Sequence, residues 1–198
     1  SLAIQDLKYV QEAHIVSVNN ECKELLLILG HNTVAAENIP IHCINLQMKD
    51  GRNTEPTGQF FTFTREQEQS SSNEYTDTLD KYLYEPNASI LKAGAFRNVA
   101  CIYKVKKLHP NSHLYTSGEP IKNFPGRSFR ITGICTLNKK ELKSVLGDLK
   151  KANITVRNFP SSVAELRKRI KLSEGGEVYL FATTLINEQK VLIRCEKI

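Results

Sequence analysis

Functional groups are dense between Tyr82 and Arg130, where polar side chains alternate with proline, glycine and tyrosine. Side chains of this kind at turn-prone positions can bind a substrate through hydrogen bonds and charge, because loops held by a scaffold often carry function. The predicted substrate-binding residues are Glu85, Asn87, Lys92, His109, Asn111, His113, Arg127 and Arg130. No catalytic residue is assigned, because the sequence contains no Gly-x-Ser-x-Gly elbow and no cysteine in surroundings that lower a thiol pKa.

Several of these residues also have a purely structural interpretation. Glu85 and Asn87 flank a predicted strand-to-helix junction, where they can hydrogen-bond a base or an amine at the mouth of a cleft. Asn87 can equally cap the helix, with Glu85 favouring its positive N-terminus. Arg127 and Arg130 can contact phosphate, or they can pair with Glu85 or Glu119 inside the protein.

The sequence predicts no metal site. His109 and His113 are four residues apart, a spacing that suits two ligands on one helix, but Pro110 between them argues against a helix. Zinc needs three or four protein ligands, and no nearby cysteine completes a set. The expected role of this segment is a loop that packs against its neighbours or against a further domain of the protein.

A second group of candidate residues is basic and lies on two predicted helices near the C-terminus. The predicted RNA-binding residues are Lys139, Lys140, Lys143, Arg167, Lys168 and Arg169. Residues 130–198 carry 14 Lys and Arg against 7 Asp and Glu, whereas residues 1–76 carry 5 against 10. A basic module next to an acidic one favours a polyanionic partner such as RNA. The alternative is a solvated helix surface, with cations favoured near the helix C-terminus by its dipole.

Length and composition indicate one or two globular domains. The chain has 198 residues, of which 40% are hydrophobic and 24% charged. No run approaches the ~20 apolar residues that span a bilayer, and the first residues lack the pattern of a signal peptide, so no membrane partner is expected. The cysteines are scattered without a Cys-x-x-Cys pair, which favours the reducing cytoplasm and mostly buried thiols. They are Cys22, Cys43, Cys101, Cys135 and Cys195.

The elements predicted for residues 1–64 alternate between helix and strand. Asn19 and Asn20 are expected to cap a helix over residues 21–29 that ends at Gly30. The order predicts the end of a doubly wound α/β sheet whose last two strands form an antiparallel hairpin. The other predicted elements are a helix at Leu2–Tyr9, strands at Ala13–Val18, Ile39–Met48 and Gln59–Thr64, and a turn at Asp50-Gly51.

The remaining elements predict small α+β modules. Residues 65–81 are polar and rich in serine, which indicates a linker or a partly ordered helix. The last part of the chain is predicted to run β-α-β-α-β-β, with two helices on one face of a small sheet. The predicted elements after residue 81 are strands at 82–85, 114–116, 128–136 and 154–158, helices at 87–104, 138–152 and after a capping pattern at 161–165, and a terminal hairpin.

The segments YLYEPNASILKAGAF, LHPNSHLYTS and FPGRSFRI resemble the ferredoxin-like domain of bacterial class I S-adenosylmethionine-dependent methyltransferases. The segment GICTLNKKELKSVLGDLKKANITVRNFP, with YLFATTL after it, is similar to the THUMP-like domain that follows in that family. LKYVQEAHIVSVNNECKELLLIL resembles the last third of the family's methyltransferase domain. The resemblance implies a C-terminal portion of a Rossmann-like methyltransferase sheet at 1–64, a linker at 65–81, a ferredoxin-like domain at 82–132 and a THUMP-like domain at 133–198.

The resemblance implies that the chain is the substrate-recognition part of a methyltransferase acting on RNA. RNA and a missing N-terminal catalytic domain are then the expected partners. The chain lacks the Gly-x-Gly-x-x-Gly turn that cofactor binding would need, so the fragment alone is expected to bind no cofactor and to be inactive, and S-adenosylmethionine would be bound by the full-length parent. Without the earlier strands, Ala13–Val18 is expected to form an uncovered sheet edge. The alternative is a non-enzymatic RNA- or protein-binding module.

Overall fold

The computed structural model describes residues 3–48 and 57–198 and divides into two compact units that are interleaved in sequence. The first unit comprises Ser1–Asn73, Pro86–Tyr103 and Asn123–Gly126. The second unit comprises Glu74–Glu85, Lys104–Lys122 and Arg127–Ile198. The predicted turn at Asp50-Gly51 lies outside the described residues.

The first unit contains a mixed four-stranded sheet with the strand order β2-β1-β3-β4. Its strands are β1 (Val10–Val18), β2 (Glu21–Leu29), β3 (Ile41–Gln47) and β4 (Thr57–Phe63), and its helices are α1 (Arg65–Ser70), α2 (Ala88–Ala93) and α3 (Phe96–Tyr103). Strand β1 is parallel to β3 and antiparallel to β2, and β3 and β4 are antiparallel. The helix predicted at Leu2–Tyr9 is wrong, because the described part of this segment, from Ala3 onwards, forms a 3-10 turn at Ala3–Asp6 in place of an α-helix.

The helix predicted over residues 21–29 is also wrong, because this segment is strand β2. Asn19 and Asn20 have φ angles of 50° and 65°, and they form the two-residue turn of a β-hairpin rather than a helix cap. Leu, Glu and Lys favour helices, but this propensity is weak, and pairing with β1 overrides it. Because β2 pairs with one side of β1 and β3 with the other, the uncovered edge predicted at Ala13–Val18 is wrong as well.

One face of this sheet is covered and the other is more open. Ala13 and Ile15 on β1 and Cys43 on β3 are fully buried, and α2 packs against β1, β2 and β3. The alternate residues of β1 and β3 are only half-buried. The sequence alternation therefore places a second row of side chains, including His14 and His42, on the open face.

The single helix predicted over 87–104 is interrupted at Gly94, which has a φ of 83° and ends α2. A left-handed residue cannot continue an α-helix, and glycine adopts this conformation at little steric cost. The Glu68 carboxylate then accepts bonds from the backbone N–H groups of Phe96, Arg97 and Asn98 at the start of α3. For residues 65–81, the helix alternative is confirmed in α1, where Thr64 and Gln67 form a capping box.

The second unit holds a seven-stranded sheet, apart from two terminal strand residues, Pro86 and Gly126, that belong to the first unit. The strand order is β6-β7-β5-β8-β11-β10-β9. The strands are β5 (Tyr82–Pro86), β6 (Lys106–Lys107), β7 (Tyr115–Ser117), β8 (Gly126–Cys135), β9 (Asn153–Arg157), β10 (Val178–Thr184) and β11 (Lys190–Lys197), and the helices are α4 (Lys139–Leu146) and α5 (Val163–Ile170).

The predicted β-α-β-α-β-β order is confirmed from β8 to β11. Asn138 caps α4, and Ser162 caps α5 in a box with Glu165. Helix α4 is shorter than predicted, because it ends before Gly147. Strand β8 runs without a break through residues 132 and 133, and the predicted domain limits stay a prediction.

The sheet of the second unit has a separate apolar core on each face. On β10, Leu180 packs with Leu146 and Leu166 of the helices, whereas the neighbouring Phe181 packs with Phe129 on the other side. Leu180 and Phe181 belong to different cores because successive side chains of a strand point to opposite faces of the sheet. The apolar sides of α4 and α5 are therefore buried, and their polar sides are exposed.

Candidate functional site

Glu85 forms the centre of a buried ion cluster in the second unit, which we call the Glu85 cluster (Glu85, Arg127 and Arg157). Glu85 is 1% exposed. Arg127 donates from Nε to Glu85 Oε2 over 2.8 Å, and its Nη2 donates to the same oxygen. Arg157 donates to Glu85 Oε1 from Nε over 2.9 Å and from Nη2 over 2.8 Å. The carboxylate therefore has two guanidinium partners, one on each oxygen.

The cluster requires a strongly curled sheet. Glu85 is on β5 and Arg157 is on β9, and three strands lie between them in the strand order. In a flat sheet with a strand spacing of ~4.8 Å, these two strands would be ~19 Å apart. Because the side chains of Glu85 and Arg157 are in direct contact, the sheet must curl enough to bring the ends of β5 and β9 close together.

The cluster carries two positive charges against one negative charge. The side chains of Arg127 and Arg157 are 29% and 39% exposed, whereas Glu85 is inaccessible. The Arg127 guanidinium also lies 5.6 Å from the ring centroid of Phe129 and 5.7 Å from that of Phe181, within the range of a cation–π contact. This arrangement suits a structural role for Glu85, because both of its oxygens are occupied by arginine donors and neither is free for proton transfer. The partly exposed arginines remain accessible to an anion.

Asn87 caps a helix in the first unit. Its Oδ1 accepts from the backbone N–H of Ile90 over 3.2 Å and from the Ser89 hydroxyl over 2.7 Å. Its Nδ2 donates to Gln59 Oε1 over 3.2 Å. Asn87 therefore caps a helix, as one of its two interpretations from the sequence predicted. Arg127 pairs with Glu85 inside the protein, which was likewise one of two interpretations. Roles for these residues in substrate binding stay a prediction.

His109 is buried in a packed loop, whereas Asn111 is exposed and contacts His109 through its backbone. The backbone N–H of Asn111 donates to His109 Nδ1 over 3.0 Å, and Asn158 Nδ2 lies 2.9 Å from the same nitrogen. His109 Nε2 lies 3.4 Å from Glu188 Oε1. These contacts use both ring nitrogens of His109.

His113 occupies a left-handed backbone position, with a φ of 53°. Burial, together with the positive charges of Lys107 and Arg157, lowers the pKa of the His113 imidazole to about 4. This histidine is therefore neutral at physiological pH, and it adds no charge to its surroundings.

Lys92 and Arg130 are exposed. Lys92 lies on α2 beside a cavity of about 290 Å³. The other residues that line this cavity are Ile15, Cys22, Lys23, Glu24 and Leu25. Arg130 lies on β8 and pairs in register with Glu196 of β11.

The predicted RNA-binding residues lie on α4 and α5, which share one core on one face of the sheet. Five of the six side chains are exposed: Lys139, Lys140, Lys143, Lys168 and Arg169. Arg167 is half-buried, and its Nη1 donates to the backbone oxygen of Ala152 over 3.2 Å. Arg169, although exposed, also donates from Nη2 to the backbone oxygen of Leu137, over 3.4 Å. The five exposed side chains are accessible to an anionic partner.

The sequence does not identify two features of the structure. The first is the role of Arg157, because nothing in the linear order of residues indicates that the end of β9 meets the end of β5. The other feature is a group of three ligand side chains, Glu12, His14 and His42, which is the only such group found among residues 3–48 and 57–198. The signal for it is the Glu-x-His alternation on one strand, with a histidine on the next parallel strand.

Comparison with known proteins identifies two domain types in the chain. Residues 82–125 match the model of a ferredoxin-like domain, and residues 126–197 match that of a THUMP domain-like family. A crystal structure of a protein from Porphyromonas gingivalis W83, described as a "putative methyltransferase", is 44% identical and superposes with a TM-score of 0.87 over 98% of this chain. The chain spans 47% of that protein. No curated protein matches the chain.

The comparisons confirm the ferredoxin-like and THUMP-like domain types within a mixed α/β structure. A THUMP-like domain suggests RNA binding. In the part of the chain that the structure describes, no helix combines the length and apolar character needed to cross a membrane.

Proposed function

We propose that this chain is the RNA-binding, substrate-recognition part of an S-adenosylmethionine-dependent RNA methyltransferase. The observation that carries the proposal is the THUMP domain-like match over residues 126–197, on a segment whose two helices present exposed basic side chains. The 44% identity to about half of a protein described as a methyltransferase supports a methyltransferase parent.

The charge of α4 and α5 suits the phosphate backbone. Five exposed Lys and Arg side chains extend from the polar sides of these helices, and residues 130–198 as a whole carry 14 basic and 7 acidic residues. Such contacts neutralise phosphates and release counterions, so binding weakens with salt. For ~4 phosphate contacts, affinity should fall by about two orders of magnitude between 50 and 200 mM salt.

In this proposal, the cofactor binds outside the chain. Among the described residues, the parallel strand β1 leads through the Asn19-Asn20 turn into strand β2, not through a glycine-rich turn into a helix. These residues do not fit S-adenosylmethionine, which needs close backbone approach at such a turn. We therefore assign this chain no step of methyl transfer.

The proposal further makes the first unit the C-terminal end of the parent's Rossmann-like catalytic sheet. Strands β1 and β3 are parallel, and β4 returns antiparallel beside β3. The edge strand β2 exposes Leu25, Leu26, Ile28 and Leu29, each by 46% or more. A strand that is apolar on both faces is typical of a covered position, and the missing N-terminal catalytic domain is the partner that we propose for it. A cytoplasmic location, based on cysteine usage, is part of the same proposal.

Fluorescence anisotropy with labelled tRNA and rRNA fragments tests RNA binding by the 198-residue chain. Variants Lys139→Ala/Lys140→Ala/Lys143→Ala and Lys168→Ala/Arg169→Ala should each weaken binding about tenfold, because each removes two or three phosphate contacts. A matched control removes exposed lysines elsewhere, at Lys122, Lys190 and Lys197. Absence of binding at 50 mM salt, or equal weakening by the control, would contradict the proposed RNA surface.

Methyl transfer requires a longer polypeptide that includes the catalytic domain. Incubated with radiolabelled S-adenosylmethionine and RNA, this polypeptide should label the RNA, whereas the 198-residue chain should not. If the longer polypeptide labels no RNA while the chain still binds RNA, the non-enzymatic RNA-binding alternative is correct.

A further inference from the structure

Three metal-ligand side chains converge on the open face of the sheet in the first unit. Glu12 and His14 are two residues apart on β1 and so share a face. His42 is the register partner of His14 on the parallel strand β3. The side chains of His14, His42 and Glu12 are 25%, 30% and 46% exposed, so all three are accessible to an ion from solvent.

The distances suit a shared ion. His14 Nε2 lies 3.0 Å from Glu12 Oε2, and His42 Nε2 lies 3.6 Å from the same oxygen. The three ligand atoms lie within 4.8 Å of one another. In a tetrahedral zinc site with bonds of ~2.0–2.1 Å, ligand atoms are ~3.3–3.5 Å apart. These two distances, 3.0 and 3.6 Å, lie on either side of this range, so small side-chain rotations can bring the ligands to it.

The surroundings hold the ligands in place. His42 Nδ1 lies 3.0 Å from the Thr62 hydroxyl on β4, which orients the ring with Nε2 towards Glu12. The two imidazole rings are stacked, with centroids 4.6 Å apart and an interplanar angle of 29°. A hydrogen bond to the second ring nitrogen is the usual support of a metal-binding histidine. Leu26 and Ile28, opposite His14 and Glu12 on β2, add an apolar border.

We propose that Glu12, His14 and His42 bind one divalent transition-metal ion such as Zn²⁺. Two imidazoles and one carboxylate are a donor set that suits zinc, nickel and copper, whereas magnesium and calcium take mainly oxygen ligands. Three protein ligands leave a fourth tetrahedral position for water or another donor. The site joins two neighbouring parallel strands of the first unit, whereas the proposed RNA-binding residues belong to the second unit.

Isothermal titration of the 198-residue chain with Zn²⁺ tests the site. One ion should bind per chain, and His14→Gln, His42→Gln and Glu12→Gln should each weaken binding at least tenfold. Thr62→Val should weaken it by about tenfold, because it removes the partner of His42. Co²⁺ should give the visible absorption of a four- or five-coordinate site in the unsubstituted chain and lose it in the ligand variants.

The matched control is His31→Gln, which removes an exposed histidine outside the ligand group and should bind Zn²⁺ unchanged. Circular dichroism checks that each variant is folded. If the ligand variants do not fold, protection of His14 and His42 from diethylpyrocarbonate by Zn²⁺ in the unsubstituted chain replaces them. Binding weaker than millimolar, binding retained in all three ligand variants, or modification that Zn²⁺ does not slow would overturn the proposal.

Discussion

Replacing Glu85 should destabilise the protein more than replacing either of its arginine partners. The carboxylate is 1% exposed and accepts bonds from both guanidinium groups, whose side chains are 29% and 39% exposed. In Glu85→Gln, one carboxylate oxygen becomes an NH2 group that cannot accept from a guanidinium, the other becomes a neutral amide oxygen, and the two arginine charges remain side by side without a counter-charge. Removing one partner of a buried ion pair costs ~3–5 kcal/mol, and this is the expected loss for Glu85→Gln.

The arginine variants should cost less. Arg157→Met leaves Glu85 paired with Arg127, and its partly exposed contact predicts a loss of ~1–2 kcal/mol. Arg127→Met also removes the contacts with the rings of Phe129 and Phe181, which adds ~1 kcal/mol. The expected order of destabilisation is Glu85, then Arg127, then Arg157.

Urea unfolding followed by circular dichroism measures these losses. The slope of the free energy of unfolding against urea concentration should be the same in all variants. The cycle of Glu85→Gln, Arg157→Met and the double variant should give a coupling energy of ~1–3 kcal/mol. Glu119→Gln is the control, because Glu119 is exposed and should change stability by less than ~0.5 kcal/mol.

Two results would refute the reasoning. A loss below ~1 kcal/mol for Glu85→Gln would mean that the cluster does not stabilise the fold. If Glu85→Gln keeps full stability but weakens RNA binding, Glu85 acts on the substrate, as one of the two interpretations of the sequence holds.

Three further predictions concern the turn, a histidine and the thiols. Asn20 has a positive φ, and its Oδ1 accepts from the backbone N–H of Ala88 over 2.8 Å. Asn20→Ala should lower the free energy of unfolding by ~1–2 kcal/mol, and Asn20→Gly by less, because glycine accepts the positive φ. Urea unfolding of both variants separates the backbone strain from the loss of the bond to Ala88. Because the pKa of His113 is lowered to about 4, the unfolded chain takes up a proton at higher pH than the folded one. Stability should therefore fall from pH 6.5 to pH 4, by ~1–2 kcal/mol after allowance for solvent screening, and unfolding of His113→Asn should show a flatter pH profile. Iodoacetamide at pH 8 should label Cys101, which is exposed, but not Cys43 or Cys195, whose thiol pKa burial raises to about 12; mass spectrometry gives the sites.

Local signals in the sequence predicted the elements of residues 126–198 well. Asn138 and the Ser162–Glu165 box mark helix starts through bonds between residues close in sequence, so they are readable without the fold. The segment over residues 21–29 failed for the opposite reason. Its apolar run suits either a helix or a strand, and pairing with β1 decides between them.

The candidate site shows the same division. The sequence raised two alternatives for Arg127, contact with phosphate or pairing with Glu85 or Glu119 inside the protein, and the structure shows the pair with Glu85. Arg157 could not be found, because its approach depends on the curl of the whole sheet. The ligand group on β1 and β3 could not be predicted, because neither strand's sequence specifies the parallel register that places His14 beside His42.

The sequence by itself determined the domain types, the basic character of α4 and α5 and the helix caps, because composition, motif and short-range hydrogen bonding act within a few residues. Only the tertiary structure decided which charges meet. The partners of Glu85 come from strands 42 and 72 residues away, and their meeting depends on strand order and sheet curvature, which result from packing of the whole unit. The density of functional groups between Tyr82 and Arg130 is thus a property of the sequence, while their division into caps, ion pairs and exposed side chains is a property of the fold.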